Sequence, residues 1–105
     1  MANEQNPLLG SMGLCRKAGK LIHGFDRVKE NVYAGKVFLV LLTADASERT
    51  ARHMQQACED FVPCLTMPLT TAQLSFLTPK PAAVFGVTDE NLARLCAKHL
   101  APEEN

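Results

Sequence analysis

The chain contains no stretch approaching the 20 or so apolar residues that a membrane-spanning helix takes. Its opening, Met1-Ala2-Asn3-Glu4-Gln5-Asn6, has neither the basic start nor the apolar run of a secretory signal, so a cytoplasmic location without membrane attachment is expected. There is no Cys-x-x-Cys pair. Cys15, Cys58, Cys64 and Cys96 stand at irregular spacings and are expected to be reduced, mostly buried small hydrophobes. Cys58 and Cys64 with His53 form the nearest thing to a zinc set, but their spacing fits no common zinc pattern. A Gly-rich phosphate loop, a Gly-x-Ser-x-Gly elbow and paired carboxylates beside an acid or base partner are also missing. These absences argue against an enzyme, and no cofactor or metal is expected. Repeats and low-complexity linkers are lacking too, so 105 residues read as one domain with one core.

Apolar residues make up 47% of the chain, enough to argue against disorder. The net charge is zero, yet six of the eleven Lys and Arg residues fall between Cys15 and Lys36: Arg16, Lys17, Lys20, Arg27, Lys29 and Lys36. Only Asp26 and Glu30 oppose them, leaving a local charge of +4 against −4 on the other 83 residues. A basic block inside a balanced protein suggests a phosphate-binding surface. The plainer alternative is a solvated helix face laced with ion pairs.

Pro7 is suited to begin a helix with Leu8, Met12 and Cys15 on one side, ending near Gly19. A short strand from Lys20 to His23 follows. Gly24-Phe25-Asp26 then opens a second helix, with Phe25, Val28 and Val32 facing the core and Gly35 ending it. Val37 to Leu42 is a continuous apolar run, as expected for a strand buried on both faces. Asp45 offers a helix cap, with Glu48 completing a capping box. Ala51, Met54, Cys58 and Phe61 mark the buried stripe of that helix. Cys64 to Met67 reads as a strand, Thr71 to Leu77 as a short helix and Ala82 to Val87 as a strand. Thr88-Asp89-Glu90 caps a last helix with Leu92, Leu95, Cys96 and His99 inward. Alternating strands and helices predict an α/β protein, a three-layer α-β-α sandwich with a small mixed sheet, spanning residues 7–100. Residues 1–6 and 101–105 are expected to be flexible.

Asp45 and Asp89 follow strands, where open α/β sheets often hold ligands. A receiver-like phosphoacceptor role for Asp45 would need an early acidic pair that the chain lacks, and both aspartates have the context of simple helix caps. The basic block is better placed. The helix after Gly24 favours an anion at its first turn. Its spacing sends Asp26, Arg27 and Glu30 outward with Lys29 on the flank, while Arg16, Lys17 and Lys20 approach from the preceding turn. Cations around polar groups able to read base edges would form an RNA-binding face. The alternative is a surface Arg27–Glu30 pair with no further role.

Leu8-Leu9-Gly10, Arg16-Lys17-Ala18-Gly19-Lys20, the Gly24-led helix, Ala34-Gly35-Lys36, Leu39-Val40-Leu41-Leu42, Asp45-Ala46-Ser47 and Gly86-Val87-Thr88-Asp89 together resemble one family in order and spacing. It is the kink-turn-binding ribosomal protein superfamily of L-seven-Ae and L-thirty-e type, and within it the small bacterial YlxQ-like branch. The resemblance implies an α-β-α sandwich without catalytic activity. It also implies structured RNA of kink-turn or ribosomal type as partner, beside ribosomal or translation proteins. In that family the reading residues are Asn, Glu and, three residues later, Lys on the helix after the glycine; the matching positions here are Asp26, Arg27 and Glu30. The loop that closes over a flipped-out nucleotide corresponds to Thr78-Pro79-Lys80-Pro81-Ala82. The expected RNA-binding set is therefore Arg16, Lys17, Lys20, Gly24, Phe25, Asp26, Arg27, Lys29, Glu30, Pro79 and Lys80. Arg27 and Glu30 depart from the family pattern, which leaves open a protein-interaction module that kept the fold and lost RNA recognition.

Overall fold

The computed structural model describes residues 7–100; the termini expected to be flexible lie outside the described residues. Along the chain come α1 (Pro7–Lys17), β1 (Leu21–His23), α2 (Phe25–Tyr33), β2 (Leu39–Leu42), α3 (Glu48–Cys58) and β3 (Cys64–Thr66). A 3-10 turn (Ser75–Leu77), β4 (Val84–Val87) and α4 (Glu90–Leu100) complete the described residues. α1 and α2 stop in the same way. After α1, the Gly19 N–H donates to the Arg16 carbonyl at 3.0 Å and the Lys20 N–H to the Cys15 carbonyl at 2.8 Å. After α2, Gly35 and Lys36 repeat the pair on Val32 and Asn31 at 3.0 and 2.9 Å. Both are Schellman endings, which satisfy carbonyls the last helical turn leaves open.

The strands lie in the order β1-β4-β2-β3. β4 runs antiparallel to both β1 and β2, while β2 and β3 are parallel and joined through α3. The small mixed sheet is thus the expected one. Period-two alternation divides its side chains between two cores. Leu39, Leu41, Phe85 and Val87 pack under α1 and α4 with Leu8, Met12, Cys15 and Cys96. Ile22, Val40, Leu42 and Val84 pack under α2 and α3 with Val28, Val32, Met54 and Cys58. β2 and β4 are buried throughout, as strands covered on both faces must be. Gly86 lets α2 come close: a Cβ there would stand 3.2 Å from Ile22 Cγ1 and 3.3 Å from Val28 Cγ1.

All four cysteines are free. The Cys15 and Cys96 sulfurs meet at 3.7 Å between α1 and α4. Contact with Cys15, then burial, pushes the Cys96 thiol well above its ordinary pKa, and Cys58 and burial do the same to Cys64.

Four local expectations need correction. The buried run from Val37 enters the sheet only at Leu39: Phe38 is 42% exposed and its N–H donates to the Val87 carbonyl at 2.8 Å. An apolar run signals burial in bulk, not the residue at which the ladder begins. α3 ends at Cys58, where Phe61 and Val62 fold back to donate to the Cys58 carbonyl. This turn carries Phe61 out to 60% exposure, and Ala57 takes the inward position instead. The helix expected over Thr71–Leu77 is reduced to its 3-10 end. Before it, the Thr70 N–H and hydroxyl both donate to Gln73 Oε1, a local arrangement that competes with helical bonding. On α4 the fully buried positions are Ala93 and Cys96, while Leu92, Leu95 and His99 are half-buried; small side chains bring this helix onto the sheet.

Candidate nucleic-acid interface

α2 is anchored at its start by the Gly24 N–H, which donates to the Val84 carbonyl on β4 at 3.0 Å. Gly24 sits at φ +99°, ψ 139°, backbone that side-chain-bearing residues rarely adopt. No side chain caps the helix. The Val28 N–H donates to the Gly24 carbonyl, so the N–H groups of Phe25, Asp26 and Arg27 are the first-turn donors without an intrahelical acceptor. Together with the positive end of the helix dipole they suit an anion.

Asp26, Arg27 and Glu30 are all exposed on α2, as their spacing predicts. Lys29 is half-buried on the flank, its Nζ 5.8 Å from the Phe25 ring centre. Phe25 itself lies at the edge of the core rather than within it. The Arg27–Glu30 surface pair does not form: among the described residues the ion pair is Arg94–Glu90 on α4, at 3.0 Å. The Arg27 carbonyl instead accepts from the Asn31 side-chain amide at 2.8 Å. Both ends of that hypothetical pair are available to a ligand.

Two loops share this end of the sheet. The Thr43 N–H donates to the Ala83 carbonyl at 3.0 Å, next to the residue that holds Gly24. The segment just before Ala83 carries exposed Pro79, Lys80 and Pro81, and the Thr78 hydroxyl closes a tight turn on the Lys80 carbonyl. Arg16, Lys17 and Lys20 belong elsewhere. They are exposed at the opposite end of β1, where the Lys20 carbonyl accepts from the Thr88 N–H. Three residues, Leu21 to His23, separate Lys20 from Gly24, which puts four extended steps, about 13 Å, between the two. Lys36, at the far end of α2, lies on the same side as Lys20. One basic block in the sequence becomes two patches, joined by a three-residue strand.

Asp45 does not cap α3. The cap is Ser47, whose hydroxyl accepts from the Thr50 N–H at 3.0 Å. Asp45 Oδ1 accepts from both the N–H and the hydroxyl of Thr71, each at 3.0 Å. The Thr71 N–H above all holds this exposed carboxyl below the usual carboxylate range. Asp89 does cap α4, accepting from the Leu92 N–H at 2.9 Å. Because folding lowers the Asp45 pKa, its stabilisation is full above about pH 4 and is lost as pH falls through the lowered value. Asp45→Ala is accordingly expected to be less stable than wild type in urea titrations at neutral pH, with the gap narrowing below about pH 4. A gap that stays constant down to pH 2.5 would mean the charge contributes nothing.

Two features escaped the sequence reading. His23, directly before Gly24, is half-buried with its ring 6.4 Å from that of Phe85; counting charges with histidine neutral passes over it. A groove of about 310 Å³ runs between α2 and α3, lined by Phe25, Lys29, Tyr33, His53, Gln56 and Ala57. Phe25, Lys29 and Tyr33 recur every four residues, a stripe legible in the sequence but pointing toward a helix whose position was not.

No family model matches the chain. It is 31% identical over 84 residues to the RNA-binding protein YlxQ of Enterococcus faecium, covering 79% of this chain and 81% of that protein. A protein of unknown function from Bacillus halodurans C has the same fold at TM-score 0.84 and 26% identity, over 91% of this chain and 98% of that one. A 15.5 kD RNA binding protein from Giardia lamblia superposes with TM-score 0.74 at 23% identity, over 89% and 81% of the two chains.

Proposed function

Since this chain belongs to the YlxQ-like branch of the kink-turn-binding ribosomal protein superfamily, we propose that it is a non-enzymatic RNA-binding protein that works on ribosomal or other translation-associated RNA. The observation that carries the proposal is the uncapped, glycine-led start of α2. Donors at that turn take a phosphate, Arg27 and Lys29 add charge, and Asp26 and Glu30 face base edges. Pro79 and Lys80 close from the neighbouring loop. Arg16, Lys17 and Lys20 hold phosphates farther along the same RNA, because their patch is about a strand's length away.

The test is fluorescence anisotropy across a salt series, with a labelled kink-turn RNA and a variant whose G·A pairs are replaced. Binding is expected to weaken steeply with salt, since each neutralised phosphate adds about 0.7–0.9 to the slope of log K against log salt. Lys20→Ala should remove about one such contact for both RNAs. Equal binding of the two RNAs would leave general RNA affinity and end kink-turn selectivity. No binding at low salt would end both. In that event the alternative, a protein-interaction module, gains ground from the unusual Arg27 and Glu30, and a protein that co-purifies after nuclease treatment would support it.

A further inference from the structure

We propose that the groove between α2 and α3 is a nucleotide subsite, taking one unpaired nucleotide of the bound RNA with its base against Tyr33 and its phosphate beside Lys29. The proposal rests on the RNA-binding reading above and names the part of the RNA that this face takes.

The groove adjoins the start of α2. Phe25, the first residue of the helix, forms one end of it, and Lys29 and Tyr33 continue the same stripe at successive turns. At about 310 Å³ it lies at the small end of ligand pockets, roughly 300–1,000 Å³. That volume suits one nucleotide and is too small for a duplex. Its chemistry is mixed in the way a nucleotide requires. Tyr33 is 55% exposed and is held edge-on to Phe61, with ring centres 5.6 Å apart at 68°. The contact steadies the Tyr33 ring, and an exposed aromatic face is a stacking platform for any base. Across the groove, the Gln56 amide offers a donor and an acceptor, and His53 offers ring nitrogens, for a base edge or a ribose hydroxyl.

Charge points the same way. On α3, Arg49, Arg52 and His53 are exposed and, with Gln56, share one helical face. Lys29 lines the groove from α2, opposite His53 and Gln56. Asp26, Arg27 and Glu30 share the outward crest of α2, two carboxylates to one cation. Arg27 draws a phosphate to the first turn, and beyond it Glu30 repels the backbone, so a strand leaving the start of α2 is directed off the crest toward Lys29 in the groove. An acidic protein segment would meet the same charge, but it would not need a stacking platform beside an amide and a cation.

The chain has one tyrosine and no tryptophan, so near-ultraviolet emission reports Tyr33 directly. The experiment compares one structured RNA with and without a five-nucleotide single-stranded tail, on wild type, Tyr33→Ala and Tyr33→Phe, after thermal melts show all three folded. The tail is expected to tighten wild-type binding by about 5- to 150-fold, the range for stacking one base, and to quench the tyrosine emission. Tyr33→Phe should keep the gain and Tyr33→Ala lose it. A tail that gives no gain, or the same gain in Tyr33→Ala, overturns the subsite while RNA binding stands. Absence of binding to either RNA removes the reading on which it rests.

Discussion

Phe85→Ala is expected to destabilise the protein by about 3–5 kcal/mol, the range for truncating a fully buried Phe. The ring is 0% exposed on β4, one of the two inner strands. It fills the layer under α1 and α4 between Leu41, its partner on β2, and His23, its partner on β1. Removing it leaves a void bordered by helices that cannot collapse onto the sheet without dragging the Cys15–Cys96 contact with them. A chain of this size is stabilised by roughly 5–15 kcal/mol in total. The loss is thus about a fifth or more of the whole, equivalent to at least about 12 °C in Tm. Urea titration should show a lower midpoint with an unchanged slope, and Phe85→Leu a much smaller drop. A loss under about 1 kcal/mol would mean that α1 and α4 do not close over this face. The effect reaches the RNA face as well, because Val84, the neighbouring residue, holds Gly24 in position.

The parts of the fold that could be read in advance depend on short-range chemistry. Glycine at the start and just beyond the end of α2, uninterrupted apolar strands and the Asp89 cap each follow from a few neighbouring residues. The misplaced details depend on distant partners. Asp45 and Ser47 are both competent caps, two residues apart, and the choice falls to Thr71, 26 positions away in sequence, which claims the Asp45 carboxylate. Phe38 and Phe61 have apolar side chains at suitable spacing, but the chain turns away from the core at each. The candidate site divides along the same line. Asp26, Arg27 and Glu30 were legible because they share one helix. That Arg16, Lys17 and Lys20 form a separate patch was not, because a linear charge count cannot show that β1 carries the chain from one end of the sheet to the other. The α2–α3 groove was hidden for a related reason: half of its lining comes from a second helix.

Glu30→Lys should tighten binding to kink-turn RNA by about 10-fold or more. Glu30 is exposed on the second turn of α2 and takes no part in the ion pairing seen among the described residues, so little folding energy changes with it, within about 0.5 kcal/mol. At about 0.1 M salt, one phosphate contact contributes roughly 5- to 8-fold through counterion release. The substitution adds such a contact where the family resemblance implies a lysine, and it also removes a like charge from the path of the backbone. The salt slope should steepen by about one. How the gain distributes between RNAs then assigns the role of this helix. A gain confined to RNA with intact G·A pairs means that α2 still has the geometry of a kink-turn reader, and that Glu30 turns the native protein away from that ligand. An equal gain on the G·A-disrupted RNA means that the helix meets phosphates only, with selectivity residing in the Pro79–Lys80 loop or the groove beside Tyr33. If neither affinity nor slope moves, the outward crest of α2 does not touch RNA. The carboxylates on that crest would then act as a fence, leaving Lys29 on its flank and Lys80 in the neighbouring loop to carry the strand past it.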